Sequence, residues 1–230
     1  IAQREQKKKL ISENRVAQQT LKKERRQQQS MIQQLRRKSR SLTAQIRKKQ
    51  QQSDTIDQEI QRLIREAIAA SNKKAGKKTK ATFAMTPDEK LIASNMEANR
   101  GRLPWPVVEG VITQRFGTQP HPVVRTTMIK STGITIATAP ESDARAVFEG
   151  VVMSILSFKG SNPTVLVKHG NYITAYKNLG KVYVKKGDKI KTKQAVGQVF
   201  TNPVDGKTSL QFSLFQASKP QNPKLWLARL

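Results

Sequence analysis

The segment Gly133-Ile134-Thr135-Ile136-Ala137 decides the fold of the second half of this chain, because its isoleucines alternate with small or polar residues. Such alternation predicts a β-strand with one buried face. Six further runs, rich in β-branched residues and separated by Gly, Asn, Asp or Pro, cover residues 107–113, 145–156, 164–168, 172–177, 195–200 and 210–215. The sequence therefore predicts a compact, mainly-β domain over residues 103–230, large enough for one hydrophobic core.

The first 70 residues predict a different structure, a long helix. They contain no proline and no glycine, and Gln, Lys, Arg and Glu dominate. Toward the end of this stretch, apolar residues recur at intervals of three and four, which is typical of a coiled-coil seam. They are Ile56, Ile60, Leu63 and Ala67. Such a helix cannot bury a core by itself, so we expect a partner helix, either an upstream segment that folds back or a second chain.

A linker and a short helix join the two halves. Residues 71–85 are rich in lysine and contain a glycine, which is typical of a flexible linker. Thr86, Pro87 and the two acids after them favour the start of a helix, so we assign residues 86–102 to a short helix and connector. The expected fold class is α+β, with a long coiled-coil helix over residues 1–70 followed by the mainly-β domain.

The chain is strongly basic and contains no cysteine. It carries 43 Lys and Arg against 16 Asp and Glu, a formal net charge of +27, which favours contact with anionic surfaces but specifies none. Without cysteine, disulfides and Cys-ligated zinc are excluded. The sequence begins at Ile1 within a helical pattern and has no apolar run of the length that a membrane span needs. We interpret it as a fragment, so that any signal peptide or anchor would lie upstream.

Short motifs in the β-rich half resemble those of a known family. In chain order they are Arg115-Phe116-Gly117, Ser131-Thr132-Gly133-Ile134-Thr135, His169-Gly170-Asn171, Tyr176-Lys177-Asn178-Leu179 and Ser209-Leu210-Gln211-Phe212. In order and spacing, they resemble the lysostaphin/LytM-type zinc endopeptidases that cut peptidoglycan cross-bridges. The resemblance implies a LytM-type, duplicated-hybrid-like fold for residues 103–230.

The same resemblance shows where the chemistry of the family would lie. The metal-ligand positions of the peptidases fall on Ser131, Thr135 and Gln211, and the positions that assist the attacking water and the oxyanion fall on Ser209 and Asn178. All five are hydroxyl or amide residues, which are poor Zn²⁺ ligands and cannot act as bases near neutral pH. We therefore expect a pseudo-enzyme with no catalytic residue, no metal and no cofactor. The five residues are predicted to line a polar groove that binds a partner.

The order of the segments along the chain resembles that of one particular group of proteins with LytM-type domains. A basic, Gln-rich coiled coil, a short helix and a LytM-type domain with replaced ligand positions resemble the murein hydrolase activators of the EnvC type. The resemblance implies a place in the periplasm, on the outer face of the inner membrane. Its implied partners are a cell-wall amidase at the groove, a membrane division complex at the coiled coil, and peptidoglycan itself. By analogy, the helix within residues 86–99 is a candidate restraint on the groove, with a spacer on the domain's flank as the alternative.

Two other functions remain open from the residues alone. A zinc endopeptidase with unusual ligands would contain metal when purified. A charge-driven module that binds wall polymers or nucleic acid would lose affinity steeply as salt rises. No aromatic residue precedes Phe83, so the basic helix has no stacking platform and we expect no specific nucleic-acid partner. His121 and His169 match no ligand position, and we expect a structural role for both.

Overall fold

The structure, a computed structural model, describes residues 2–75, 82–121, 124–158 and 160–229. It contains two α-helices, α1 (Ala2–Lys74) and α2 (Pro87–Ala98), and a 3-10 turn at Pro223–Leu225. The strands in the described ranges are β1 (Val111–Gln114), β2 (Gly117–Pro120), β3 (Met128–Ser131), β4 (Gly133–Thr138), β5 (Asp143–Arg145), β6 (Gly150–Leu156), β7 (Thr164–His169), β8 (Tyr172–Lys177), β9 (Leu179–Val182), β10 (Lys189–Ile190), β11 (Ala195–Val199), β12 (Thr208–Gln216) and β13 (Lys219–Gln221). The predicted α+β architecture, a long helix followed by a mainly-β domain, is confirmed.

Every predicted strand region contains a strand, but two regions differ in extent. Residues 107–113 become extended only from Val111, and residues 145–156 are divided by a turn into β5 and β6. The sequence pattern did not indicate β2, β3, β9, β10 and β13, which are two to four residues long. Strands this short offer too few positions to show a period of two.

Eight strands form the main sheet, in the order β1-β4-β12-β8-β7-β6-β10, with β13 also paired to β12. Two smaller sheets, β5-β11-β9 and β2-β3, complete the domain. All the pairings in these sheets are antiparallel. The main sheet thus carries β4, β12 and β8, which hold most of the predicted groove residues, side by side at its centre.

The main sheet is buried on both sides, and we call these sides the core face and the groove face. On the core face, Leu210, Phe212 and Tyr176 pack in the larger apolar cluster, together with the β5-β11-β9 sheet and α2. On the groove face, Ile173 and Phe215 belong to a second cluster that α1 completes. The alternation of side chains along each strand separates these two sets.

The C-terminal part of α1 covers the groove face. Ile60, Ile64 and Ile68 lie on one side of the helix, one turn apart, and are at most 2% exposed. Burial of each such side chain contributes roughly 1.5–3 kcal/mol. Of the four predicted seam residues, Ile60 is fully buried, whereas Ile56, Leu63 and Ala67 are partly buried and pack against the same cluster. The expectation of a partner helix is wrong for residues 56–68, because they pack on a β-sheet.

The N-terminal part of α1 is not buried by any other part of the described chain. Every side chain from residue 3 to residue 42 is exposed. The apolar residues among them are 42–64% exposed, and they are Leu10, Ile11, Val16, Leu21, Met31, Ile32, Leu35 and Leu42. For this part of the helix, a helical partner stays a prediction. Neither described helix has a stretch long and apolar enough to cross a membrane.

The short helix α2 packs on the flank of the main sheet. A capping box fixes its start, since the Thr86 hydroxyl accepts from the Glu89 N–H and the Glu89 carboxylate accepts from the Thr86 N–H. The same carboxylate accepts a hydrogen bond from Lys168 Nζ at 2.7 Å. Gly170, with φ +64°, lets α2 approach closely, because a β-carbon there would lie 2.8 Å from the Ala93 side chain. The helix within residues 86–99 therefore has the position of the spacer alternative and does not cross the groove.

The predicted linker, residues 71–85, is partly outside the described ranges, which omit residues 76–81. Its two ends are fastened to each other. The Ser71 hydroxyl donates to the Ala84 carbonyl, and the Asn72 side-chain amide donates to the Thr82 carbonyl, both at 2.9 Å. These contacts hold the end of α1 beside the start of α2.

Candidate functional site

Three neighbouring strands bring the predicted site residues together on the groove face. In the strand register, Thr135 of β4 lies opposite Gln211 of β12, and Gln211 lies opposite Lys177 of β8. Ser209 is two residues before Gln211 and so shares its face of the sheet. The structure thus places four polar side chains in one patch.

Ser131 and Thr135 lie at the β3–β4 side of this patch. The Ser131 hydroxyl donates to the Gly133 carbonyl at 3.0 Å and accepts from the Gly133 N–H at 3.3 Å, which closes a tight turn. The Thr135 hydroxyl donates to the Gln114 side-chain oxygen at 3.3 Å. Both hydroxyls are therefore occupied by local contacts.

Asn178 lies at the opposite side, where β8 ends. Its φ of +69° is a left-handed backbone conformation, which asparagine tolerates better than most residues. The Asn178 amide donates to the Ser209 carbonyl at 2.7 Å and accepts from the Asn162 amide at 2.6 Å. Asn178 therefore ties the end of β8 to β12 and gives the patch its shape.

Helix α1 reaches into this patch with one carboxylate. Asp57 is 8% exposed, forms an ion pair with Lys177 and accepts a hydrogen bond from the Thr132 hydroxyl at 2.7 Å. About two turns earlier, the Gln50 amide donates to the Lys130 carbonyl at 2.9 Å. Charged and polar side chains are rarely buried unless paired in this way. The contacts fix the helix over the groove at a defined position along its length.

The helix divides the groove into two parts. Ser131 and Thr135 lie under α1, beside a residual space of only about 20 Å³ that Ser53 and Asp57 help to line. Ser209 and Asn178 instead face a cavity of about 470 Å³ between α1 and the domain, and Gln211 lines both spaces. Other walls of the cavity are formed by Lys49, Gln52 and Ile56 of α1 and by Phe200 of the domain. Half of the predicted groove is thus filled by the chain itself, and half stays open.

The donor groups at this site do not fit the zinc ion that the fold family uses. Hydroxyl and amide oxygens are weak ligands for Zn²⁺, and the nearby Lys177 ammonium would repel a cation. Lys177 also ion-pairs with Asp57, the carboxylate that α1 brings to the patch. Within the described ranges, no group of three or more His, Cys, Asp or Glu residues could hold a metal.

The two histidines are outside the patch. His169 is fully buried in the domain, with Nδ1 donating to the Glu149 carbonyl at 2.6 Å and Nε2 within 2.8 Å of the Thr174 hydroxyl. Burial lowers its pKa to about 4, although the Glu149 hydrogen bond acts in the opposite direction. His121 accepts a hydrogen bond from the Val124 N–H at 3.2 Å. The structural role that the sequence predicts agrees with these contacts.

The sequence did not identify Asp57 and Lys177 as site residues. Asp57 is three residues before Ile60 on the same side of α1, in a position where a seam would carry an apolar residue. A lone acidic residue in an otherwise apolar row indicates a specific polar partner, so the sequence does contain a signal for Asp57. Lys177 lies inside the quoted motif at 176–179, but nothing local indicates its pairing with a residue 120 positions earlier.

Comparison with known proteins identifies the class of the domain. Residues 129–223 match the family model described as Peptidase family M23. The β domain therefore has the M23 fold, and the lysostaphin/LytM resemblance drawn from the motifs is confirmed.

A curated relative agrees with the narrower resemblance. Over 168 residues, the chain is 26% identical to "Murein hydrolase activator EnvC" of Escherichia coli (strain K12), an alignment that covers 71% of this chain and 38% of the relative. The chain thus spans well under half of that protein's length.

Similar chains also occur among solved structures. One is in the SpoIIQ–SpoIIIAH pore-forming complex, with 21% identity, a TM-score of 0.47, and coverage of 56% of this chain and 92% of that chain. Another is the catalytic domain, in a mutant form, of the prophage-encoded M23 protein EnpA from Enterococcus faecalis, with 24% identity, a TM-score of 0.45, and coverage of 53% and 94%. No functional conclusion follows from similarities at this level.

Proposed function

We propose that this protein is a non-catalytic regulator of peptidoglycan hydrolysis, which binds and activates a cell-wall amidase through the polar groove. The observation that carries the proposal is that the chain's own helix lies on the groove and reaches it with a paired carboxylate, Asp57. The groove therefore has the shape and the polar groups to receive a protein element. In its open part, Ser209 and Gln211 carry a hydroxyl and an amide, which suit hydrogen bonding better than hydrolysis.

The similarities support the same function. The relative from Escherichia coli is a murein hydrolase activator, and the M23 fold is a peptidase fold. The residues at the ligand positions do not fit zinc. A peptidase fold that lacks suitable ligands and resembles an activator favours regulation over catalysis.

In this proposal, the docked helix is the inactive state of the regulator. An amidase needs the space beside Ser131 and Thr135, which α1 fills. Binding of the amidase therefore requires α1 to leave the groove face. Apolar surface of the groove face is buried both when α1 is docked and when the amidase is bound. The free-energy difference between these two states therefore determines how easily the regulator is switched on.

The exposed part of α1 is the proposed contact with a membrane division complex. Most of its apolar residues, Leu21 and Leu35 among them, are more than half exposed, and the helix is rich in Lys and Arg. We place the protein in the periplasm, at the outer face of the inner membrane, with peptidoglycan as a further partner. A partner that binds this part of α1 more tightly when the helix is undocked would activate the regulator.

The proposal is tested by measuring amidase activity on purified peptidoglycan with the full chain added. We expect the wild-type protein to stimulate a cognate amidase weakly and the double variant Asp57→Ala/Ile64→Ala to stimulate it strongly, because the groove is uncovered. Adding Ser209→Trp to that double variant should abolish stimulation, since the indole would fill the open part of the groove. Leu91→Trp, at a side chain on α2 that is 62% exposed, is the matched control and should change nothing.

Two results would contradict the proposal. One is stimulation that is equal with and without Ser209→Trp, because the groove would then not be the amidase site. The other is hydrolysis of peptidoglycan by the protein alone, with zinc found in the purified protein by elemental analysis. That second result would favour the zinc endopeptidase alternative.

A further inference from the structure

A second concave surface lies at the edge of the main sheet, away from the groove. It is a cavity of about 550 Å³ that shares no lining residue with the cavity of the candidate site, and we call it the edge pocket. Its walls include Trp105, Val111, Ile112 and Leu227, and its rim includes Lys224 and Arg229. The proposed amidase function uses none of these residues.

The edge pocket adjoins an open strand edge. β1 is the terminal strand of the main sheet and pairs only with β4 in the described part of the chain. Its first residue, Val111, is 70% exposed, and Val108 just before it is 68% exposed. Exposed strand edges in native proteins are usually protected by charges or proline, whereas Val111-Ile112-Thr113-Gln114 has neither. A register shift between Ile112 and Gln114 disturbs only the far end, so the regular part of the edge is the part beside the pocket.

The walls of the edge pocket are rigid and apolar. The Trp105 indole N–H donates to the Ala228 carbonyl at 2.9 Å, which fixes the ring as a wall. Leu227 is 3% exposed and belongs to the core. A fixed aromatic ring beside the aliphatic side chains of Ile112 and Leu227 suits one bulky apolar side chain of a ligand.

The rim of the edge pocket is cationic. Lys224 and Arg229 are exposed, and neither forms a salt bridge with an acidic side chain of the described residues. A second copy of this chain would bring the same two cations to the same place, and each chain carries a net charge of +27. A second copy is therefore a poor occupant, and an acidic ligand is a good one.

We propose that an extended, acidic segment of a partner protein binds here as an added strand beside β1. Its backbone pairs with the open edge at Val111, and one bulky apolar side chain enters the pocket against Trp105. Carboxylates two residues before and after that side chain lie on the same face of the added strand and meet Lys224 and Arg229. Backbone pairing gives this segment its register, and the pocket and the two cations give it specificity.

The test uses the full chain and fluorescein-labelled eight-residue peptides in which Glu alternates with Val and one central Phe takes a Glu position, so that Phe and Glu share one face of the strand. A scrambled peptide of the same composition controls for general attraction to a basic protein. A third peptide has Lys in place of Glu, and a fourth has Pro at two positions that should pair. Binding is measured by fluorescence anisotropy at physiological salt, where non-specific charge attraction is reduced.

We expect the alternating Glu peptide to bind at least about tenfold more tightly than the other three peptides. Val111→Asp should reduce its binding by about tenfold or more, whereas Val151→Asp, at a partly exposed valine on β6, should not. Lys224→Glu/Arg229→Glu should reverse the preference toward the Lys peptide. Equal binding of the Glu and scrambled peptides would overturn the proposal, and so would binding that Val111→Asp leaves unchanged. A dimer in solution that Val111→Asp dissociates would also overturn it, because a second copy would then be the occupant.

Discussion

The two faces of the main sheet are both buried, but they are buried by different means. The core face is closed by strands, by α2 and by the C-terminal segment, in one continuous apolar cluster. The groove face is covered mainly by α1, with isoleucines at one end and a paired carboxylate at the other, and Phe83 joins the same apolar cluster. Several elements therefore close the core face together, whereas the groove face depends mainly on α1, whose removal would expose Ile173 and Phe215.

This difference has an energetic origin. Apolar side chains that lose contact with water on all sides make the domain stable whether or not α1 is docked. On the groove face, the polar residues Thr135, Gln211 and Ser209 can be hydrated when α1 leaves. Removal of the helix therefore costs the burial of Ile60, Ile64 and Ile68 and of the few apolar side chains beneath them. Four predictions separate the two faces, in order of expected effect.

The largest effect is expected at the core face. Phe212 is fully buried, so Phe212→Ala should lower the free energy of unfolding of the whole domain by about 3–5 kcal/mol. Urea denaturation followed by tryptophan fluorescence measures this loss of stability.

Ile64→Ala removes a side chain that is equally buried, but on the groove face. It should increase hydrogen exchange in residues 56–68 and leave the urea midpoint of the domain nearly unchanged; equal midpoint losses would remove the distinction between the faces.

The next effect concerns the paired carboxylate. Asp57→Ala leaves the Lys177 ammonium buried without its counter-ion, which costs about 3–5 kcal/mol while α1 stays docked. The helix should therefore undock, and hydrogen exchange in residues 50–68 should rise strongly. The double variant Asp57→Leu/Lys177→Met should dock normally, because no unpaired charge remains. If the double variant exchanged as fast as the single one, the ion pair itself and not the burial penalty would hold the helix.

The third effect is a pH dependence of the stability of the domain, which arises from a residue in the core and not from α1. Burial lowers the pKa of His169 to about 4, whereas in the unfolded chain it is near 6.5. The unfolded state therefore binds the proton first, and stability is lost as the pH falls from about 6.5 to about 4. The loss is about 3 kcal/mol in total, at about 1.36 kcal/mol per pH unit.

Urea denaturation at several pH values measures this slope. His169→Gln should flatten it between about pH 6.5 and pH 4, even if the variant is less stable throughout. The Asp57→Ala variant should keep the slope, because His169 lies within the domain and not beneath α1. A slope that disappears in Asp57→Ala would connect the titration to helix docking instead.

The smallest effect is expected at the N-terminal end of the docked segment. Gln50 donates to the Lys130 carbonyl at 2.9 Å in a partly exposed position, so its removal should weaken docking by about 0.5–1.5 kcal/mol. Gln50→Ala should raise exchange locally, and Gln51→Ala, on the exposed side of the same turn, should not. Identical exchange in the two variants would show that docking begins closer to Asp57.

Much of the fold could be predicted because the sequence contains strong periodic signals. The alternation in 133–137 and 210–215 marks two central strands, and the order of the motifs indicates the M23 fold. The aromatic residues differ in their positions, since Phe212 and Trp226 are buried in the core, whereas Phe200 is partly exposed and lines the groove cavity.

The cover of the groove could not be predicted in the same way. A helical period of three and four shows that residues 56–68 have an apolar side, but it carries no information on whether a helix or a sheet receives that side. The pairing of Asp57 with Lys177 joins residues 120 positions apart, and only the three-dimensional structure brings them together. The sequence therefore points to α2 as the candidate restraint, because α2 is nearer to the domain along the chain, whereas α1 is the helix that covers the groove.

The length of α1 has a mechanical consequence. At about 1.5 Å per residue, its 73 residues extend about 110 Å, of which the docked segment from residue 50 to residue 68 is about 27 Å. The undocked part of α1 is thus a lever arm roughly two and a half times as long as the docked segment. A sideways force at the free end would load Gln50 first, then Asp57, and only then the isoleucines. The helix would peel from the polar end of the groove, so Ser131 and Thr135 would be uncovered while its apolar end still held.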